Sequence, residues 1–258
     1  MAMRIAIVSA AAAWLSLALN AVGAGAASGS RKMPAIVLVH GAWANGSSWA
    51  RVVPLLQARG LEVIAVHNPL SSFEADVAAT RRVIEGQAKD VILVGHSYGG
   101  AVITEAGTSS KVRALVYVAA FAPSDGESIS TIVGSSGTPE WFSELRADSG
   151  GMLTWSAEGM AKYFAPDLPA QEAALLAATQ APFSAGAFDG KVTSAAYSHK
   201  PNWYVVAEDD RIIPAKLQLA FASKMRATIV QVISSHVAML SKPQEVANAI
   251  FAAVDTAK

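Results

Sequence analysis

The stretch VILVGHSYGGA, from Val91 to Ala101, decides the fold of this chain. Its first four residues form an apolar run, which is typical of a strand buried on both faces of a parallel sheet. The next five fit the pattern G-x-S-x-G, and a helix-like segment follows. A strand-to-helix turn this sharp needs glycines and leaves the serine hydroxyl exposed above the sheet edge. Because the following helix points its free N–H groups at the same spot, Ser97 is predicted to be a nucleophile.

Apolar runs of the same kind recur on both sides of this stretch. Strands are predicted at residues 35–39, 61–67, 112–118, 203–207 and 228–233. Helical patterns separate them, and the last helix is expected to begin near Ser241, with Gln244 in capping-box spacing. Strands and helices that alternate in this way are typical of right-handed crossovers, which predicts an α/β fold with a parallel sheet.

Composition narrows the class of protein. Of the 258 residues, 52% are hydrophobic, so a sizeable core is expected. Twenty basic residues balance twenty acidic ones, which argues against a nucleic-acid-binding surface. The sequence contains no cysteine, which excludes disulfides, thiolate zinc sites and cysteine nucleophiles.

The N-terminal residues have the three-part pattern of a secretory signal peptide. A basic start at residues 1–4 precedes an apolar run at residues 5–19 and small residues at 21–27. The apolar run is shorter than the roughly 20 residues that a membrane-spanning helix needs, so no stable membrane anchor is expected. We therefore predict a signal peptide at residues 1–27, a single domain at residues 28–258, and a secreted or periplasmic protein.

The alternation of strands and helices breaks at residues 124–200. This segment is rich in aromatic residues and carries only short helical runs. It is too long for a loop and too apolar for a disordered segment. An insertion at the carboxyl edge of a parallel sheet would cover the crevice where such folds bind ligands, so we predict a cap over an apolar site.

A serine nucleophile needs a base, and that base needs a carboxylate to orient it. Of the five histidines, His236 follows the last strand and so reaches the same sheet edge as Ser97. An ordinary histidine pKa suits a general base. His40 and His96 flank the glycine-rich turns and are expected to shape their loops.

The carboxylate is less clearly marked. The strand that ends at Ala207 brings Glu208, Asp209 and Asp210 together to this edge, and the residues alone do not separate them. Asp125, which follows the strand at residues 112–118, is a less favoured alternative.

Four segments carry a family resemblance, and they are Val37 to Trp43, Gly95 to Gly100, Asp210 to Pro214, and His236 to Ser241. They span nearly the whole chain after residue 27. Together and in this order they resemble the α/β-hydrolase superfamily. Within it, the chain is similar to small cofactor-independent carboxylesterases, the branch of plant methyl-ester esterases and bacterial esterases that is related to hydroxynitrile lyases.

The resemblance implies a fold and a site. The fold is a mostly parallel, doubly wound sheet with a helical cap inserted after the sixth strand of the fold. The family's acid stands four residues before the proline, which selects Asp210 beside Ser97 and His236. The family's oxyanion hole falls on the backbone N–H groups of Ala42 and Tyr98, and no metal or cofactor is implied. The residues expected to contact substrate are Trp43, Trp141, Trp155, Phe183 and Met239.

The implied activity is hydrolysis of small, fairly apolar carboxylic esters through an acyl-enzyme intermediate, with a small-molecule ester as the partner. A lyase, a C–C hydrolase or a perhydrolase on the same fold is an alternative, as is a ligand receptor with slow turnover. The related hydroxynitrile lyases carry threonine near the oxyanion loop and lysine directly after the catalytic histidine. Gly41 and Val237 occupy those places here, which argues against lyase activity.

Overall fold

A six-stranded parallel sheet forms the centre of the computed structural model, which describes residues 33–135 and 137–257. The predicted signal peptide lies outside the described residues. The strands of this part of the chain are β1 (Ala35–Val39), β2 (Val63–Ala65), β3 (Val91–His96), β4 (Val112–Val118), β5 (Leu145–Ala147), β6 (Met152–Trp155), β7 (Phe183–Ser184), β8 (Asn202–Ala207) and β9 (Thr228–Val232). The central sheet has the order β2-β1-β3-β4-β8-β9, and each neighbouring pair is parallel, so the predicted parallel α/β sheet is confirmed.

The helices lie between these strands, as the alternating pattern predicts. They are α1 (Val53–Ala58), α2 (Phe73–Glu85), α3 (Tyr98–Ala106), α4 (Ile129–Gly134), α5 (Ala157–Gly159), α6 (Ala170–Thr179), α7 (Ala215–Lys224), α8 (Ala238–Ser241) and α9 (Pro243–Thr256). The capping box expected at Ser241 does not form, because Ser241 ends α8 and α9 begins at Pro243. A proline suits the first position of a helix, where its missing N–H would have no intrahelical acceptor.

The central strands are apolar because both faces of the sheet are covered. Every residue of β1, β3 and β8 is buried. The edge strand β9 differs, since four of its five residues are exposed or half-buried.

The strand order fixes where ligands can bind. From β1 the chain steps outward to β2, and it then returns past β1 to β3 and β4. Right-handed crossovers in opposite directions place α1 on one face of the sheet and α2 and α3 on the other. The crevice of such a fold opens where the direction reverses, at the carboxyl ends of β1 and β3.

The resemblance implies a cap after the sixth strand of the fold, and among the described residues four strands precede it. The cap leaves the sheet after β4 and rejoins it at β8, which pairs directly with β4. It contains the predicted short helices, from α4 to α6, and also a three-stranded antiparallel sheet in the order β5-β6-β7. These strands are two to four residues long, so the sequence shows too little alternation to predict them. Among the described residues, no helix is long and apolar enough to cross a membrane.

Candidate active site

Ser97 lies on the sharp turn between β3 and α3. Its backbone has φ 53° and ψ −124°, a region that residues other than glycine rarely adopt. The turn requires Gly95, because a Cβ atom there would lie 2.6 Å from the carbonyl oxygen of Gly99. The turn therefore holds the Ser97 side chain at the carboxyl end of β3, where 5% of the residue is exposed.

Three side chains at this sheet edge form a continuous hydrogen-bonded chain. The Nε2 atom of His236 lies 2.8 Å from Ser97 Oγ, and its Nδ1 atom lies 2.8 Å from Asp210 Oδ2. The His236 and Asp210 side chains are fully buried. A neutral His236 with its proton on Nδ1 satisfies both contacts, because Nδ1–H donates to the carboxylate and Nε2 accepts the serine O–H. This is the arrangement of a nucleophile, its base and an orienting acid.

Asp210 is the one of the four candidate acids that contacts His236. Its other oxygen, Oδ1, accepts the backbone N–H groups of Ile212 at 2.7 Å and Ile213 at 3.0 Å. Glu208 and Asp209 are exposed at the surface. Asp125 accepts the backbone N–H of Ala195.

A residue that the sequence analysis did not select completes the surroundings of the acid. Gln218, fully buried on α7, donates from Nε2 to Asp210 Oδ2 at 2.9 Å and to the carbonyl of Ile213 at 2.6 Å. Its Oε1 atom accepts the N–H of Ala207, the last residue of β8. The available signal was a polar residue on the apolar face of α7, three residues before Phe221.

Two further histidines support the loops around the site. The Nε2–H of His96 donates to the backbone carbonyl of His236 at 2.9 Å, and burial holds the His96 pKa well below its usual value. The Nε2 atom of His40 accepts the N–H of Asn68 at 3.2 Å, and burial lowers the His40 pKa to about 4. Both rings are therefore neutral at pH 7 and hold backbone in place.

The two expected oxyanion donors, Ala42 and Tyr98, both lie close to Ser97. Tyr98 is the first residue of α3, so its N–H has no acceptor within the helix. Ala42 follows Gly41, where an added Cβ atom would lie 2.8 Å from Ser97 Cβ, which shows how closely this loop approaches the nucleophile. The Tyr98 hydroxyl is engaged elsewhere, since it donates to the buried carboxylate of Asp76 at 2.7 Å.

A cavity of about 380 Å³ opens above these groups, and we call it the catalytic cavity. Ser97, Ala42 and Tyr98 line it together with residues of the cap. Two of the residues expected to contact substrate, Trp43 and Trp141, also line it. The sequence analysis missed several other apolar residues of its wall, which are Phe121, Val133, Phe142, Leu153, Phe188 and Ile212.

The other three expected substrate contacts do not line the catalytic cavity. Trp155 and Phe183 are buried behind its wall, where their ring centroids lie 5.4 Å and 5.5 Å from that of Trp43. Met239 lines a separate small pocket of about 30 Å³ beside Leu240. The packing of the cap determines which apolar side chains reach the cavity, and each of these three is needed as core.

The chain belongs to the alpha/beta hydrolase family, whose sequence profile matches residues 36–249. A pyrethroid hydrolase from Sphingobium wenxiniae is 28% identical over 247 residues, which cover 83% of this chain and 85% of that protein. Methylesterase 2 from Arabidopsis thaliana is 28% identical over 250 residues, which cover 85% of this chain and 95% of that protein. A carbendazim-hydrolysing esterase from Nocardioides sp. is 33% identical over 122 residues, which are 42% of this chain and half of that protein.

The solved structure of polyneuridine aldehyde esterase has the same fold. It superposes with a TM-score of 0.75 over 88% of this chain and 100% of that one, at 19% identity. The predicted family is thus confirmed, and its esterase-named and hydrolase-named members support a hydrolase.

Proposed function

We propose that this protein is a serine carboxylesterase that hydrolyses small, fairly apolar esters through an acyl-enzyme intermediate. The observation that carries the proposal is the buried chain of contacts from Ser97 through His236 to Asp210, with 2.8 Å at each step. The relatives that align along most of the chain include one named a methylesterase and one named a pyrethroid hydrolase, which supports the proposal.

In the proposed mechanism, His236 accepts and returns a proton in each of two successive steps. His236 Nε2 takes the Ser97 proton while Oγ forms a bond to the ester carbonyl carbon. The carbonyl oxygen becomes an oxyanion, which the N–H groups of Ala42 and Tyr98 stabilise. When the intermediate collapses, the C–O bond to the alcohol breaks and His236 protonates the leaving oxygen. His236 then takes a proton from water as the water oxygen attacks the acyl carbonyl carbon. When this second intermediate collapses, the bond from that carbon to Oγ breaks and His236 returns the proton to Oγ, which releases the acid and restores Ser97.

The surroundings of the site favour hydrolysis of apolar esters over lyase chemistry. Aromatic and aliphatic side chains dominate the catalytic cavity, which suits a neutral apolar ligand. A threonine in place of Gly41 would bring its Cβ atom against Ser97 Cβ and the His96 ring. The residue directly after His236, where the lyases carry lysine, is the buried Val237.

The test is hydrolysis of 4-nitrophenyl acetate by the wild type and the Ser97→Ala variant. We expect Ser97→Ala to lower kcat/KM by at least about a thousandfold, because the nucleophile is removed. Ser130→Ala is the matched control, since Ser130 lines the same cavity and its hydroxyl bonds Asp189 outside the triad. It should retain activity within a factor of about three of wild type.

Labelling with an organophosphate reagent gives an independent readout. Peptide mapping by mass spectrometry should find the adduct on Ser97 in the wild type and no adduct in Ser97→Ala. Full activity of Ser97→Ala, or an adduct on a different residue with matching loss of activity, would refute the proposal.

A further inference from the structure

A second chamber of about 690 Å³ adjoins the catalytic cavity, and we call it the distal chamber. It lies between the cap and the first turns of α7. Tyr163 from the cap and Pro214, Leu217 and Ala220 from the α7 region line it. Neither Ser97 nor the expected oxyanion donors belong to its wall.

The two spaces share a wall. Phe121, Val133, Pro139, Trp141 and Ile212 line both of them. A group bound above Ser97 therefore needs to extend only past this common set of side chains to enter the distal chamber.

The chamber suits an apolar group. Its shared wall and its α7 side are mainly aliphatic and aromatic, and its charged residues Glu140, Arg211 and Lys216 are exposed at the surface. The Arg211 guanidinium already donates to the carbonyl of Lys162 at 3.0 Å. The walls thus offer apolar contact and no buried charge for an ionic ligand to pair with.

The position of the ester carbonyl, rather than volume alone, is what brings the distal chamber into use. The catalytic cavity holds about 380 Å³, near the lower end of the range for small-molecule pockets, roughly 300–1,000 Å³. Because the carbonyl must lie over Ser97, the groups on its two sides extend away from that point in different directions. The distal chamber adjoins the cavity and can receive one group while the cavity holds the other.

We propose that the distal chamber binds the second apolar group of a two-part ester, so that the preferred substrates carry a bulky apolar group on both the acid and the alcohol side. This inference rests on the proposed esterase function. The bound group leaves water on entering the chamber, and hydrophobic pockets of this kind discriminate by at least about tenfold between ligands with and without the group they hold.

Three synthetic esters test the proposal with the wild-type protein. Methyl benzoate carries a ring on the acid side, benzyl acetate carries one on the alcohol side, and benzyl benzoate carries both. We expect kcat/KM for benzyl benzoate to exceed that for each one-ring ester by at least about tenfold.

A chamber-filling variant locates the preference. Ala220→Phe places a ring in the distal chamber from an exposed position of α7. It should lower kcat/KM for benzyl benzoate at least about fivefold and leave the one-ring esters within about twofold. Ser223→Phe is the control, because Ser223 is exposed on the same helix and lines neither space. Leu217→Trp fills the chamber from a second position and should repeat the effect.

The outcomes separate the two proposals. If the wild type hydrolyses the one-ring esters with no preference for benzyl benzoate, or if Ala220→Phe and Leu217→Trp lower all three rates equally, the distal chamber is not a subsite and the esterase proposal stands. If none of the three esters is hydrolysed and Ser97 is not labelled, the esterase proposal itself fails.

Discussion

Gln218 connects Asp210, the acid of the proposed triad, to the end of a central strand. Its amide contacts the Asp210 carboxylate, the Ile213 carbonyl and the Ala207 N–H, all in a fully buried position. Gln218 Nε2 donates to Asp210 Oδ2, the same carboxylate oxygen that accepts from His236. Gln218 is therefore a positioning residue, which fixes the direction of the carboxylate and through it the ring of His236.

We expect Gln218→Met to lower kcat about tenfold with KM nearly unchanged, because the methionine fills a similar volume and cannot hold Asp210. The loss of buried hydrogen bonds should also destabilise the fold by about 1–3 kcal/mol. Steady-state kinetics and urea unfolding measure the two effects. Gln231→Met on the exposed edge strand is the control. A variant with lower stability and unchanged kcat would show that the role is structural only.

The site residues differ in how well the sequence marks them. Ser97 is set by a local turn, and His236 is marked by its place after the last strand. The identification of Asp210 required the family's spacing. Asp209 and Asp210 are neighbours at the same strand end, and only the turn to Pro214 decides which of them faces inward. Gln218 had no marker beyond its place on a buried helix face, because its role depends on how α7 packs against β8.

Among the elements, the cap is attached to the sheet through Trp43. This residue has φ 58° and directly follows the expected oxyanion donor Ala42. Its Nε1–H donates to the carbonyl of Leu153 in β6 at 3.0 Å, and its own carbonyl accepts the N–H of Ala181 at 3.3 Å. The rings around it belong to Trp141, Trp155, Phe164, Phe183 and Phe188. One residue of the loop after β1 thus contacts the cap through its ring, its Nε1–H and its backbone carbonyl.

Trp43→Phe should destabilise the protein more than Trp155→Phe does. Both variants shrink an indole in the same aromatic cluster, and only the first removes a hydrogen bond. The Trp155 Nε1 atom is buried without a partner among the described residues. We expect a difference of about 1–2 kcal/mol in the free energy of unfolding, measured with urea at neutral pH. Equal losses in both variants would contradict this role of the Trp43 N–H.

The elements of the sheet and the short helices of the cap were predictable, and the strands of the cap were not. Strands β1 and β4 match the predicted ranges, because long apolar runs determine them. Strand β2 is shorter than predicted, with only Val63–Ala65 paired to β1. The strands of the cap are held by the rings packed against them, as when Trp43 bonds Leu153, and these contacts are distant in sequence.

For the molecule as a whole, buried neutral histidines set the response to acid. The His40 pKa is about 4 in the folded protein because burial disfavours the charged ring, and it is about 6.5 in an unfolded chain. Between these values the unfolded state binds a proton that the folded state does not. The contribution to stability is therefore fully present above about pH 6.5 and is lost as the pH falls toward 4. His96 acts in the same direction.

We expect the free energy of unfolding to fall between about pH 7.5 and about pH 5, with about 2 kcal/mol of the loss due to His40. In His40→Gln the contribution of His40 should disappear, so the free energy of unfolding should fall less steeply as the pH decreases. Urea unfolding at several pH values measures this dependence of the free energy of unfolding on pH. At the upper end of this range the ring is neutral, and the difference between the two proteins there reports packing and hydrogen bonding rather than protonation. An unchanged slope in His40→Gln would rule out this contribution.

The direct pairing of β4 with β8 has a consequence for how such proteins diversify. Val118 lies opposite Val205, so the chain leaves the sheet and re-enters it on adjoining strands. The cap is topologically a single insertion, and the hydrogen-bond ladder beneath it is complete without any cap residue. A cap from another member of the family can be grafted between these strands, provided that it restores the contact of Asp167 with Ser235 beside His236 and offers rings to the tryptophan that follows Ala42. Changes in the cap can then alter the range of substrates while the residues proposed for catalysis stay unchanged.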